Sequence, residues 1–455
     1  MRGWAGAAAT LALALLAGCS GRHHHGAEWG AQTRIDSGIA QTIDGIWAVD
    51  NHAHPVLAPP QDATDREFDA LPVDSLEPES EPPAYRADFP QLADAWKALW
   101  GLDERPPLDA AGLARLNAAR KRVKEREGER YPAWVLDQAR TGTMLGNRVA
   151  MGFGVEPPRF RWVPYDDALL FPLNNSGLAA ESPDRKEFFP LEDKVRARYF
   201  AASGVHATPA TLDDYLKKVV TPTLERQRAG GAVAIKFEVA YLRGFDFGDP
   251  PKDEAAKLYA QWASRPGVPE AVGYKMLQDF LFRTIAMEAG RLGMAVHLHA
   301  MAGDGSYFGV AGVNPLLLEP LFNDPRLRKT NFVLLHGGWP YERETAALLE
   351  KPNVYADLSS QDLTMSPHTQ AQWLREWLEW EPEKVLFGSD GYPFSDEMGW
   401  AESTWIASRN GRAALGIALT GMLRDGEISR GRAEAIAREV LRGNAEKLYG
   451  FASGQ

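Results

Sequence analysis

Five side-chain groups occur along this chain in an order that could build a metal site. The first is Asp50-Asn51-His52-Ala53-His54. Lys236 follows in Val233-Ala234-Ile235-Lys236-Phe237-Glu238, and His299 in Val296-His297-Leu298-His299. His336 lies in Val333-Leu334-Leu335-His336-Gly337-Gly338, and Asp390 ends Val385-Leu386-Phe387-Gly388-Ser389-Asp390. Imidazole and carboxylate suit zinc and its first-row neighbours. Residues at i and i+2 on a strand share a face, so His52 and His54 can grip one ion. A buried lysine that loses its proton can add carbon dioxide, and the resulting carbamate at Lys236 could bridge two ions. Asp390 could hold an ion and accept a proton from its water, whose pKa falls from about 15.7 toward about 7 on a metal.

Each group lies at or near the C-terminal end of a short apolar run that reads as a buried strand. That end of a parallel barrel is where chemistry is assembled. The pattern predicts strands at residues 45–50, 147–153, 160–164, 232–241, 294–299, 354–358 and 384–390. Strand six falls between segments 315–321 and 341–350. Helices are predicted at 35–46, 133–141, 212–229, 273–293 and 430–449. This alternation predicts an α/β fold, a closed (β/α)8 TIM barrel over residues 34–455. An insertion, 57–130, follows strand one. Its acidic, proline-interrupted part (62–81) reads as a surface loop, its second part (89–130) as helical, and its charged run (120–130) as a solvated face. Its position predicts a lid over the site.

The ordered set His-x-His, Lys, His, His, Asp resembles the amidohydrolase superfamily of metal-dependent enzymes. The amidohydrolase-related subgroup is the most similar. The strings Arg159-Phe160-Arg161-Trp162-Val163-Pro164-Tyr165-Asp166-Asp167, His336-Gly337-Gly338-Trp339-Pro340-Tyr341 and Asn353-Val354-Tyr355-Ala356-Asp357-Leu358-Ser359 add to it. The resemblance implies one or two divalent ions, with zinc the leading candidate. It gives His52, His54 and Asp390 to the first ion, carboxylated Lys236 to a bridge, and His299 and His336 to the second. In mononuclear relatives the ion takes the His pair, the fifth-strand His and the Asp, and the sixth-strand His polarises substrate. Asp390 and His336 are then the catalytic residues. The expected function is metal-dependent hydrolysis of an amide, lactone or ester in a small-molecule substrate. A metal-dependent non-oxidative decarboxylase and a non-catalytic barrel binding protein are the alternatives.

Other residues carry weaker signals. His297 shares a face with His299 and reads as structural. Arg243 could clamp a substrate carboxylate through a bidentate pair. Tyr241 and Trp339 are candidate substrate contacts, and Tyr307 and Tyr341 could join them. His206 and His368 read as surface residues. The formal charge of −11, from 50 basic and 61 acidic side chains, argues against a nucleic-acid surface.

The N-terminus reads as targeting sequence. Arg2, the apolar stretch 11–16 and Leu16-Ala17-Gly18-Cys19 resemble a bacterial lipoprotein signal over residues 1–18. Cys19 is the single cysteine, so no internal disulfide is possible and lipidation is its expected fate. Residues 19–33 read as a tether, with His23, His24 and His25 a spacer within it. The expected location is the cell envelope, anchored by lipid at Cys19 to the outer membrane and facing the periplasm.

Overall fold

The computed structural model describes residues 35–451, apart from 68, 78–79 and 266. The expected signal peptide, Cys19 and tether lie outside the described residues. The described residues form eight strands: β1 (Ala48–Ala53), β2 (Thr141–Asn147), β3 (Phe160–Val163), β4 (Ala234–Phe237), β5 (Ala295–His299), β6 (Phe332–Leu335), β7 (Val354–Asp357) and β8 (Val385–Leu386). All pairings are parallel, within β1-β2-β3 and within β4-β5-β6-β7-β8.

Hydrogen bonds join these two sheets on both sides. Val233 N–H donates to Trp162 O at 3.1 Å and Lys236 N–H to Pro164 O at 2.8 Å. On the other side Asn51 N–H donates to Phe387 O and Asp390 N–H to His52 O, both at 2.8 Å. The strands therefore succeed one another in chain order around a ring. Helices cover its outside, among them Ala271–Arg291, Glu342–Leu349 and Pro367–Trp380.

The two-residue period of the strands sorts their side chains. Ile235, Phe237, Val296, Leu298, Phe332 and Leu334 join the large core cluster beneath the helices. Their neighbours Ala234, Val333 and Leu335 join a second cluster with Val49, Leu145, Val163 and Leu386. Lys236, His297 and His299 alternate with the first set and so take the inner face. Burying one such aliphatic side chain stabilises the fold by about 1.5–3 kcal/mol.

Several boundaries differ from expectation. β2 spans Thr141–Asn147, not 147–153. The more apolar run beyond it turns away, led by Arg148, whose guanidinium pairs with buried Asp65 at 2.9 and 3.0 Å. A Cβ on Gly146 would meet the Pro55 ring at 3.0 Å, so glycine there permits the close approach to the chain after β1. β4 is shorter than predicted because Val239–Leu242 forms a helical turn. The long helix Trp400–Arg424 was not expected; it is buried on most faces and shows no simple apolar stripe.

Among its described residues the insertion holds two α-helices, Gln91–Trp100 and Ala110–Glu127. Gly101, at φ 67°, ends the first, and Asp109 caps the second through Gly112 N–H. Trp96, Trp100, Leu116 and Val123 pack with Tyr131, Met398 and Trp400 in a separate cluster. The charged run is not simply solvated: Arg120 bonds the buried Glu402 at 2.6 Å and the Glu397 carbonyl at 2.9 Å. No helix among the described residues is long and apolar enough to cross a membrane.

Candidate metal centre

His52 and His54 project from β1 onto one oxygen of Asp390. Their Nε2 atoms lie 3.2 and 3.3 Å from Asp390 Oδ1. Ligand atoms of the three residues fall within 4.8 Å of one another, a grouping that could hold a metal ion. The other oxygen, Oδ2, lies 3.7 Å from His336 Nδ1. The His299 ring centre is 4.7 Å from that of His336, which is 5.1 Å from that of His52. Lys236 Nζ lies 3.3 Å from His52 Nε2 and 2.8 Å from Glu238 Oε1, and Glu238 Oε2 lies 3.4 Å from His299 Nδ1. The structure thus gathers all six expected ligands, with Glu238 among them.

The backbone is strained where it presents these groups. His336 has φ 62° and Asp390 φ 51°, the left-handed region that costs a non-glycine residue about 1–3 kcal/mol. Gly337 continues the turn at φ 65°; a Cβ there would lie 2.6 Å from Gln361 Nε2.

Behind the candidate ligands stands a set of buried orienting groups. Tyr165 O–H donates to Asp69 Oδ1 at 2.8 Å and meets His54 Nδ1 at 3.0 Å. Ser359 Oγ meets His336 Nδ1 at 2.9 Å and donates to Asp357 Oδ1 at 2.6 Å. Asp357 also accepts from His336 N–H at 2.9 Å and from Asn51 Nδ2 at 2.7 Å. Asp50 accepts from Ser389 N–H and Oγ, which fixes the β8 end against β1. Burial pushes the Asp50 carboxyl up to about 7 and that of Asp357 to about 6.

Burial also keeps His52, His299 and His336 neutral. It lowers His299 and His336 to about 3, with Lys236 adding to the effect at both, and it lowers His52 well below its ordinary value. Burial raises the Asp390 carboxyl, but His336, His52 and His54 outweigh it and hold the group well below the usual range. Neutral imidazole and ionised carboxylate are the forms a metal requires. His52 Nδ1 and His299 Nε2 are buried without a hydrogen-bond partner, unusual for buried polar atoms. The donor set fits a divalent ion.

These groups form the floor of a cavity of about 800 Å³. Leu71, Val73, Glu81 and Tyr85 of the insertion line it, together with Tyr241 and Trp339. Tyr241 lies against His299, tilted 46° to it, with centroids 4.7 Å apart. Arg243 does not reach this cavity. Its guanidinium is buried against Asp279 at 2.7 Å and over the Phe247 ring at 4.3 Å, which corrects its expected role as a carboxylate clamp. Tyr307 and Tyr341 are not among the lining residues. His297 turns to the far end of the barrel, where Nε2 meets Tyr449 O–H at 2.7 Å. His206 and His368 are exposed. Sequence reasoning missed the parts played by Asp69, Tyr165 and Tyr85. Of these, Tyr165 alone falls in one of the strings that carry the family resemblance.

Comparison with known proteins agrees with this geometry. The amidohydrolase family profile matches residues 181–451. Protein fluG of Emericella nidulans is 29% identical over 228 residues, 48% of this chain and 25% of that protein. The chain therefore matches about a quarter of that curated relative's length. A Lactobacillus casei protein described as a metal-dependent hydrolase has TM-score 0.60 and 16% identity, covering 90% of this chain and 97% of its own. Glucuronate isomerase from Caulobacter crescentus has TM-score 0.57 and 14% identity, covering 92% and 94%. At these identities the two structures show a shared α/β barrel fold. The family profile covers more than half of the sequence, and the chain belongs to the amidohydrolase family.

Proposed function

We propose that the protein is a metal-dependent hydrolase that cleaves an amide, lactone or ester in a small molecule. The observation that carries this reading is the convergence of His52, His54 and Asp390 within 4.8 Å at the floor of an open cavity. These three would hold the ion, with His299 and His336 facing it. When bound, a divalent ion supplies Lewis acidity toward a carbonyl and a water of lowered pKa. Asp390 divides its work between its oxygens: Oδ1 faces the histidine pair, and Oδ2 faces His336. Oδ2 takes the proton of the attacking water and returns it to the leaving group. His336 gives its Nδ1 proton to Ser359, whose own proton goes to Asp357, so the neutral ring offers Nε2 as a lone pair. Tyr241 and Trp339 position the substrate.

Lys236 acts in this reading as the ion-pair partner of Glu238, at 2.8 Å. A carbamate on Lys236 would set a second negative charge beside that buried carboxylate. This favours one ion over two. Kinship with isomerases rests on fold alone and does not displace the hydrolase reading.

A panel of simple amides, lactones and esters tests the activity. Metal-loaded protein should hydrolyse at least one class, and Asp390→Asn should lower kcat by about 100-fold to 10,000-fold with the fold intact by circular dichroism. Full activity in Asp390→Asn would remove the assigned proton carrier. Release of carbon dioxide from a carboxylate without hydrolysis would favour a decarboxylase.

We also propose, on sequence alone, that the protein is exported and lipid-anchored at Cys19. Fatty-acid labelling in a bacterial host should mark the wild type and not Cys19→Ser; equal labelling of both contradicts the anchor.

A further inference from the structure

A continuous chain of hydrogen bonds leads from the site toward the far end of the barrel. Its members are His336, Ser359, Asp357, Asn51, Tyr449 and His297, and each link fixes the direction of the next. Asp357 carries a carboxylate, which only accepts. Its Oδ1 takes the Ser359 hydroxyl at 2.6 Å, and its Oδ2 takes Asn51 Nδ2 at 2.7 Å. With its amide nitrogen so engaged, Asn51 turns Oδ1 to Tyr449, whose hydroxyl donates to it. That spends the Tyr449 proton, so His297 Nε2 donates to the Tyr449 oxygen at 2.7 Å. His297 Nδ1 is left buried without a partner, which agrees with an unprotonated nitrogen there. Tyr449 ends the last helix, Asn444–Tyr449, and its ring stacks on Phe451 with centroids 5.6 Å apart.

We propose that Tyr449 is a positioning residue for His336: through Asn51 it holds Asp357 in the orientation that keeps the His336 proton on Nδ1 and leaves Nε2 open to the site. This deepens the hydrolase reading and rests on it only for the importance of His336 to the reaction. The two oxygens of Asp357 share a plane, so the bond that fixes Oδ2 also fixes the angle at which Oδ1 meets Ser359 and the His336 N–H. The Asn51 amide fits that bond in one sense, nitrogen toward Asp357, and the Tyr449 proton enforces that sense. Without the Tyr449 hydroxyl, the oxygen of the fully buried Asn51 loses its partner. A flipped amide sets oxygen against oxygen at Asp357, and the carboxylate turns. Ser359 is then released to donate to His336 Nδ1, and exchange with solvent leaves the ring proton on Nε2. Polar networks of this kind act as units.

Nitrogen-15 resonance of the full chain with labelled imidazoles reads the tautomer directly, on protein stripped of metal so that no ion selects the ring nitrogen. The His336 signals are those lost in His336→Ala. The wild type should carry the His336 proton on Nδ1. Tyr449→Phe should move a large share of it to Nε2, and Asn51→Leu should do the same. Phe451→Leu loosens the packing of Tyr449 without entering the hydrogen-bond chain, and should leave the tautomer as in the wild type. In zinc-loaded protein, Tyr449→Phe should lower kcat about 10-fold, with KM and bound metal little changed. A wild-type ring protonated on Nε2 overturns the proposal. So does a tautomer unchanged in both Tyr449→Phe and Asn51→Leu, or one that shifts equally in Phe451→Leu. A tautomer that depends on Tyr449, in a protein that hydrolyses no member of the amide, lactone and ester panel, supports the positioning while removing the hydrolase reading.

Discussion

At the scale of single residues, the candidate ligands are held by neighbours that no local pattern announces. His54 is oriented from behind by Tyr165, whose hydroxyl is itself fixed by Asp69. Partners of this kind keep a ring in the orientation and tautomer that binding needs. Tyr165→Phe keeps the ring and removes only the hydroxyl. It should weaken metal affinity about 10-fold to 100-fold in a chelator competition, with little change in stability. Unchanged affinity would leave Tyr165 a packing residue. His52, His54, His299, His336 and Asp390 were legible because each ends an apolar run at a strand terminus. Asp69 was not, because its partner Tyr165 lies 96 positions away and nothing around it is periodic. Arg243 misled for the opposite reason. Its place just past β4 suggested the cavity, but Asp279 on the helix Ala271–Arg291 captures it.

At the scale of elements, β4 to β8 were readable because their outward residues are a nearly unbroken aliphatic set packed under helices. β2 was harder to place because its own sequence, Thr-Gly-Thr-Met-Leu-Gly-Asn, is less apolar than the segment on its C-terminal side. Its glycines serve close approach between chain segments, which propensity alone does not reveal. The insertion shows how a charged helix can be anchored. Arg120 meets the carboxylate of Glu402, whose side chain is 1% exposed and which also accepts from Trp100 Nε1 at 2.7 Å. Removing the cation strands a buried charge. Arg120→Ala should therefore lower stability by about 3–5 kcal/mol in urea unfolding. A loss within experimental error would show that Glu402 is satisfied without Arg120. The insertion also supplies Leu71, Val73, Glu81 and Tyr85 to the cavity wall, so this anchor bears on the shape of the site.

At the scale of the whole molecule, the ring closes where β8 meets β1, and the site is built across that closure. Asp390 N–H bonds the His52 carbonyl at 2.8 Å, so the first and last candidate ligands in the sequence sit side by side. Chemistry, fold and closure depend on the same few residues. Metal content measured by elemental analysis is the most direct test. The full chain should carry His23→Ala, His24→Ala and His25→Ala, so that the N-terminal histidine tract cannot contribute. About one divalent ion per chain is expected, lost when His52 and His54 are both changed to alanine. A chain that holds no ion after reconstitution, or that keeps it without those two histidines, would contradict a metal centre built on His52, His54 and Asp390.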